Sequence, residues 1–150
     1  MIRARDPGYP ILKSKAAQAR HVLPFARHLA RRHAEDAARG AYSFPARHRL
    51  AGREAEYLAN VVPLLDNAVD FYEACNDRNY RPDMARDCMY NVLNHLEALS
   101  ALFADGCPLA ERAKQPFHVR PKMHMMQEIA HPVHPRSPPI HPLPKLQKQY

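Results

Sequence analysis

Histidine, glutamate and cysteine are the residues of this chain whose spacing could do chemistry. His124, Glu128 and His131 fall at i, i+4 and i+7, one face of a helix. Glu128-Ile129-Ala130-His131 repeats the Glu-x-x-His spacing of helical di-iron centres, which need two such pairs and two further glutamates. The sequence offers one pair, and Pro132 ends a helix beneath His131. The His-Glu-x-x-His of zinc proteases is absent. His118, His124, His131, His134 and His141 together make a histidine-rich tract of the kind that holds transition metals weakly. Cys88 and His95, seven apart, share a helix face as a thiolate–imidazole pair would, but Cys88 sits in an apolar stripe, where cysteine acts as a small apolar residue. Asp66 with Asp70, and Asp83 with Asp87, are carboxylates at i, i+4, a spacing more often found on a solvated face. The expectation is a chain without cofactor or catalytic group, with His124, Glu128 and His131 as the metal candidates.

Charge is the stronger signal. The 150 residues carry a net +7, distributed as +6 over residues 1–40, −4 over 41–106 and +5 over 107–150. Basic ends around an acidic middle suit contact with a polyanion, or ends that pack over the middle. Lys13, Lys15, Arg20, Arg27, Arg31, Arg32, Arg120 and Lys122 are the residues expected to meet phosphates. Aromatic stacking partners near the first basic cluster are sparse, only Tyr9 and Phe25. Residues 1–34, with eight basic residues and one acid, also resemble a mitochondrial transit peptide, although serine is scarce. Three cysteines without a CxxC pair argue against a disulfide framework or a zinc finger. A reducing intracellular compartment, cytoplasm or nucleus, is therefore expected, with the mitochondrion as the alternative. No apolar run approaches a membrane span of roughly 18 residues, and four scattered glycines build no phosphate cradle.

The elements that position these residues read as helices. Residues 1–13, with Pro7, Gly8 and Pro10, read as an irregular arm. Ser14 is a candidate N-cap for a helix over 15–39, with Val22, Phe25, Ala26, Leu29 and Ala30 as its apolar stripe, a kink or break at Pro24, and Gly40 as its stop. Residues 41–52 connect it to a second helix over 53–76, carrying Tyr57, Leu58, Val61, Leu65, Ala68, Val69 and Tyr72 and kinked at Pro63. A third helix starts at Pro82-Asp83 and ends at Gly106, and Val92, Leu96, Leu99 and Phe103 are expected at the centre of the core. Residues 117–120 read as extended because Pro121 disfavours helix before it. Pro121 then opens a last helix over 122–130, with Phe117, Val119, Met123, Met126 and Ile129 sealing the core. Residues 131–150 hold six of the fifteen prolines and read as a disordered or polyproline-like tail, with weak PxxP matches at Pro132–Pro135 and Pro139–Pro142.

Three stretches carry a resemblance: residues 16–25 (Ala-Ala-Gln-Ala-Arg-His-Val-Leu-Pro-Phe), Phe71-Tyr72-Glu73, and residues 117–124 (Phe-His-Val-Arg-Pro-Lys-Met-His). Their order resembles an uncharacterised helical protein family abundant in dinoflagellate-type algal genomes, which carries a Trp-x-x-x-Pro-Lys-x-His-like signature after two long helices. The resemblance covers roughly residues 14–130 and implies a helical fold, a mobile-element origin and no particular activity. Phe117 stands where that signature has tryptophan, and the proline-rich sequence after Ala130 implies either a truncated copy or a domain already complete at that point.

The sequence thus predicts an all-α domain over 14–130, a small bundle of three to four antiparallel, proline-kinked helices. The leading function is a non-enzymatic basic binding protein contacting nucleic acid or another polyanion, without a membrane role. The alternatives are a helical interaction subunit of a larger assembly, meeting an acidic protein surface, and then a metal-dependent enzyme.

Overall fold

The computed structural model describes residues 2–4, 10–12, 20–76, 78–112, 114–117 and 123–130. Within them run five α-helices: α1 Leu23–Ala38, α2 Glu54–Ala74, α3 Pro82–Ala104, a single turn α4 Leu109–Arg112, and α5 Met123–Ala130. A 3-10 turn, Arg20–Val22, leads into α1. Ahead of them, β1 Ile2–Ala4 pairs antiparallel with β2 Pro10–Leu12, Ala4 lying opposite Pro10. Both strands of a two-stranded ribbon are edges, so a proline without an N–H is tolerated there. The remaining elements are helical, and the fold is an all-α small bundle. No helix among the described residues is long and apolar enough to cross a membrane.

The central element is α3. It packs against α2 most extensively, and against α5. Pro82 occupies the first turn of α3, where a missing N–H breaks no intrahelical bond, and Asp83 meets the positive end of the helix dipole there. The helix ends at Gly106, whose φ of +64° is the left-handed conformation that glycine adopts without a Cβ penalty. Val92, Leu99 and Phe103 are buried as the periodicity predicts, whereas Leu96 is only half-buried; Leu93 and Leu102 complete the buried set instead. One cluster gathers Ala30, Leu50, Val61, Leu99, Leu102 and Phe103 from α1, the 39–53 connection, α2 and α3. A second joins Met89 and Leu93 of α3 to Ala130 of α5, with Phe71 and Met126 against it.

Polar pairs fix the antiparallel register of α2 and α3. Arg53 reaches Asp105 at 3.0 Å, His95 Nδ1 lies 3.1 Å from Asn60 Oδ1, and Asn91 Nδ2 donates to Asn67 Oδ1 at 3.1 Å. Pro63 lies inside α2, where it leaves the exposed Ala59 carbonyl without its helical donor. Its own carbonyl accepts a side-chain bond from Asn67 Nδ2 at 2.8 Å. Pro24, expected to kink or break the first helix, stands in the first turn of α1 and helps begin it, with the 3-10 turn Arg20–Val22 before it, a break rather than a kink.

The connection from α1 to α2 is a built unit. Gly40 N–H donates to Ala37 O at 3.0 Å and Ala41 N–H to Asp36 O at 2.7 Å, the paired bonds of a Schellman stop. Glu54 Oε1 accepts from the N–H groups of Phe44 (2.9 Å) and Gly52 (3.1 Å), and His48 Nδ1 accepts from Leu50 N–H at 3.1 Å. A row of rings runs His33–Tyr42–Phe44–Tyr57–Phe103–Phe117, with neighbouring centroids 4.5 to 6.3 Å apart, and His48 stacks on Phe44 at 4.2 Å. Phe117 is not extended as expected; its φ is +59°, left-handed backbone that turns its ring onto Phe103. His118, Val119, Arg120, Pro121 and Lys122 lie outside the described residues, as do Ser14 and the 131–150 segment.

Candidate nucleic-acid interface

The first helix carries the basic candidates, and its rotation about its own axis decides what they can reach. Ala26, Ala30, Ala34 and Ala37, spaced four, four and three apart, turn toward the bundle, and Ala30 is buried. Methyl side chains let the α1 backbone approach α2 closely. Of the expected stripe, Ala30 is buried and Ala26 half-buried, whereas Val22, Phe25 and Leu29 are 38%, 62% and 38% exposed. The face turned to solvent reads His21, Phe25, His28, Arg32, Glu35 and Arg39, each exposed and each three or four residues from the next.

The structure gathers half of the expected phosphate-binding residues on this helix and its lead-in turn. Arg20 and Arg32 are exposed and Arg27 is half-buried. Arg31 points along the helix flank, where its Nη2 lies 2.7 Å from Asp66 Oδ1 of α2. That contact is an ion pair rather than an aligned hydrogen bond. Arg39 is held by Asp36 at 2.5 Å. The basic end of the chain thus does, at Arg31, pack over the acidic middle. Lys13, Lys15, Arg120 and Lys122 lie outside the described residues.

The metal candidates fall only partly within the described residues. Glu128 is exposed on α5, the backbone alone places His124 on the same helix, and His131 lies outside the described residues. Among the described residues no three His, Cys, Asp or Glu side chains are grouped as metal ligands. Cys88 is buried; desolvation, reinforced by the nearby Asp70 and Asp87, pushes its thiol above the usual range, opposite to what a nucleophile needs. His95 is engaged with Asn60 of α2. Of the carboxylate pairs, Asp66 is held by Arg31 and Asp83 is bridged to Arg86.

Tyr72, which helical periodicity assigns to the core stripe, is instead 47% exposed. It stands beside a cleft of about 500 Å³ between the opening of α1 and the last turn of α2. Arg20 and His21 line one side, and Tyr72, Glu73 and Asn76 the other, over a floor that includes Leu23 and Val69. Val69, Tyr72 and Glu73 are spaced i, i+3, i+4, so one α2 face changes from buried to polar and aromatic as the helix ends, and Asn76 follows just past the Cys75 cap. That change of character along one stripe is the signal of the cleft that the sequence carries.

No protein-family model, no curated protein and no solved structure matches this chain.

Proposed function

We propose that the chain is a non-enzymatic helical binding protein that holds a polyanion, nucleic acid first among them, against α1. The observation that carries this reading is the rotation of α1: alanines face the bundle, while Arg20, His21, His28 and Arg32 face solvent along one helix and its lead-in turn. Phosphate contacts of this kind are sequence-independent and release counterions, so affinity falls steeply with salt. Burial of Cys88, with its thiol pushed up, speaks against the thiol-based form of the enzymatic alternative.

The test is fluorescence anisotropy with labelled DNA of arbitrary sequence from low to high salt. The wild-type chain should lose affinity log-linearly with salt. Reversing Arg20, Arg27 and Arg32 to glutamate should weaken binding to all sequences alike and flatten that dependence. Equal affinities for wild type and triple variant would remove the reading. A second reading, a helical subunit of a larger assembly, is favoured by the exposed strip Val22, Phe25 and Leu29. It predicts a sedimentation coefficient that rises with concentration or with an added partner.

A further inference from the structure

We infer that the cleft between the opening of α1 and the end of α2 receives one unpaired nucleotide, so that the polyanion bound is single-stranded. This inference rests on the polyanion reading and names its substrate class. Because α1 and α2 run antiparallel, the cleft lies where α1 begins and α2 ends. Its α1 wall is the positive end of a helix dipole and also carries Arg20 and His21. Its α2 wall is the negative end of the neighbouring dipole and carries Glu73. A nucleotide has the matching polarity, an anionic phosphate at one end and a base with N–H donors at the other.

The side chains fit the two halves. Tyr72 offers an exposed ring on which a base can stack, and stacking of this kind tolerates every base because each has a π-face. Asn76 Oδ1 already accepts from the backbone N–H of Arg78 at 3.1 Å, which leaves its Nδ2 as a donor toward a base carbonyl. The Glu73 carboxylate accepts from a base N–H and repels a second phosphate, so the cleft holds one nucleotide rather than a length of backbone. The floor of Leu23 and Val69 is apolar, as a base face requires. A cleft of about 500 Å³ lies within the size range of small-ligand sites. A paired base, stacked inside a duplex, presents neither its faces nor its pairing edge.

The experiment uses the full chain and three probes at one salt concentration: a 12-nucleotide single strand, the corresponding duplex and a heparin oligosaccharide of similar length. The single strand should bind tighter than the duplex. Tyr72→Ala should weaken the single strand between about 5- and 150-fold, the range for loss of one stacked base. Duplex and heparin affinities should stay unchanged, and Tyr72→Phe should retain wild-type affinity for all three. An unchanged helical circular dichroism spectrum of Tyr72→Ala excludes misfolding as the cause. If all three probes bind and Tyr72→Ala affects none of them, or all of them equally, the nucleotide cleft is wrong while the polyanion reading stands. If none of the three binds, both are overturned.

Discussion

Arg31 Nη2 of α1 stands 2.7 Å from Asp66 Oδ1 of α2, so one of the basic helix's arginines is already matched within the fold. The pair is half-exposed on the arginine side, and Asp66 is the more buried partner. Replacing Arg31 by glutamate would set two carboxylates against each other. We expect Arg31→Glu to lose about 1 kcal/mol of stability, and the swapped pair Arg31→Glu with Asp66→Arg to do better than the sum of its two single variants, since exposed pairs couple by about 0.2–1 kcal/mol. Urea unfolding of the four chains in a cycle measures this, and additive effects would show that the ion pair is idle. Its practical meaning is that Arg31 is the wrong residue with which to test polyanion contact.

Gly40 closes α1 with a φ of +72°, and a Cβ built there would meet nothing within 4 Å. The cost of a side chain is therefore conformational rather than steric crowding. Gly40→Ala should destabilise by about 1–2 kcal/mol, the left-handed penalty for an L-residue, while Gly40→Asn should cost less. A thermal melt that ranks alanine at or above asparagine would contradict the Schellman stop.

Leu50 lies in a connection, not in a helix, yet it is 1% exposed, as deeply placed as Leu99 at 0%. Leu50→Ala should cost about 2–5 kcal/mol, like Leu99→Ala. Leu96→Ala, at a half-buried position, should cost clearly less than either. Chemical denaturation of the three variants gives the order, and a mild Leu50→Ala would mean that the connection is not part of the core.

Hydrogen bonds to the Glu54 carboxyl, from its own backbone N–H and then from those of Phe44 and Gly52, hold it below the ordinary value of 4.5. A carboxyl with a depressed folded pKa contributes stability that is fully present above its unfolded value and is lost as pH falls through the folded one. Stability should therefore drop below about pH 4.5, and Glu54→Gln should flatten that acid limb by lowering stability at neutral pH while changing little at pH 3. Unfolding midpoints between pH 3 and 7 check the sign.

The two longer helices are legible in the sequence because large apolar residues at three and four mark them, and proline and glycine punctuate them. Pro82 and Gly106 bracket α3 as their residue types predict. The rotation of α1 is only partly legible: the stripe read from periodicity includes Ala26 and Ala30, which do face the bundle, but also Val22, Phe25 and Leu29, which packing leaves exposed while it takes in Ala34 and Ala37. The choice between kink and break at Pro24 is open in the sequence for a related reason: a proline starts a helix or bends one according to where the helix begins, and only tertiary contact sets that. Of the cleft only the α2 wall leaves a trace in the sequence; joining it to the α1 wall needs three-dimensional information, since Arg20 and Tyr72 come from opposite ends of two antiparallel helices.

The row of rings from His33 through Tyr42, Phe44, Tyr57 and Phe103 to Phe117 joins distant parts of the sequence at one end of the bundle. Hydrogen exchange should register this as a division between the two ends. The amides of Phe44, Leu50 and Gly52, though outside any helix, are expected to exchange only with the cooperative opening of the helices they clasp. At the other end, where α1 begins and α2 finishes, exchange should proceed through local opening. The bundle would then carry its most durable structure at the end remote from the cleft, leaving the turns that line the cleft able to adjust without unfolding the rest.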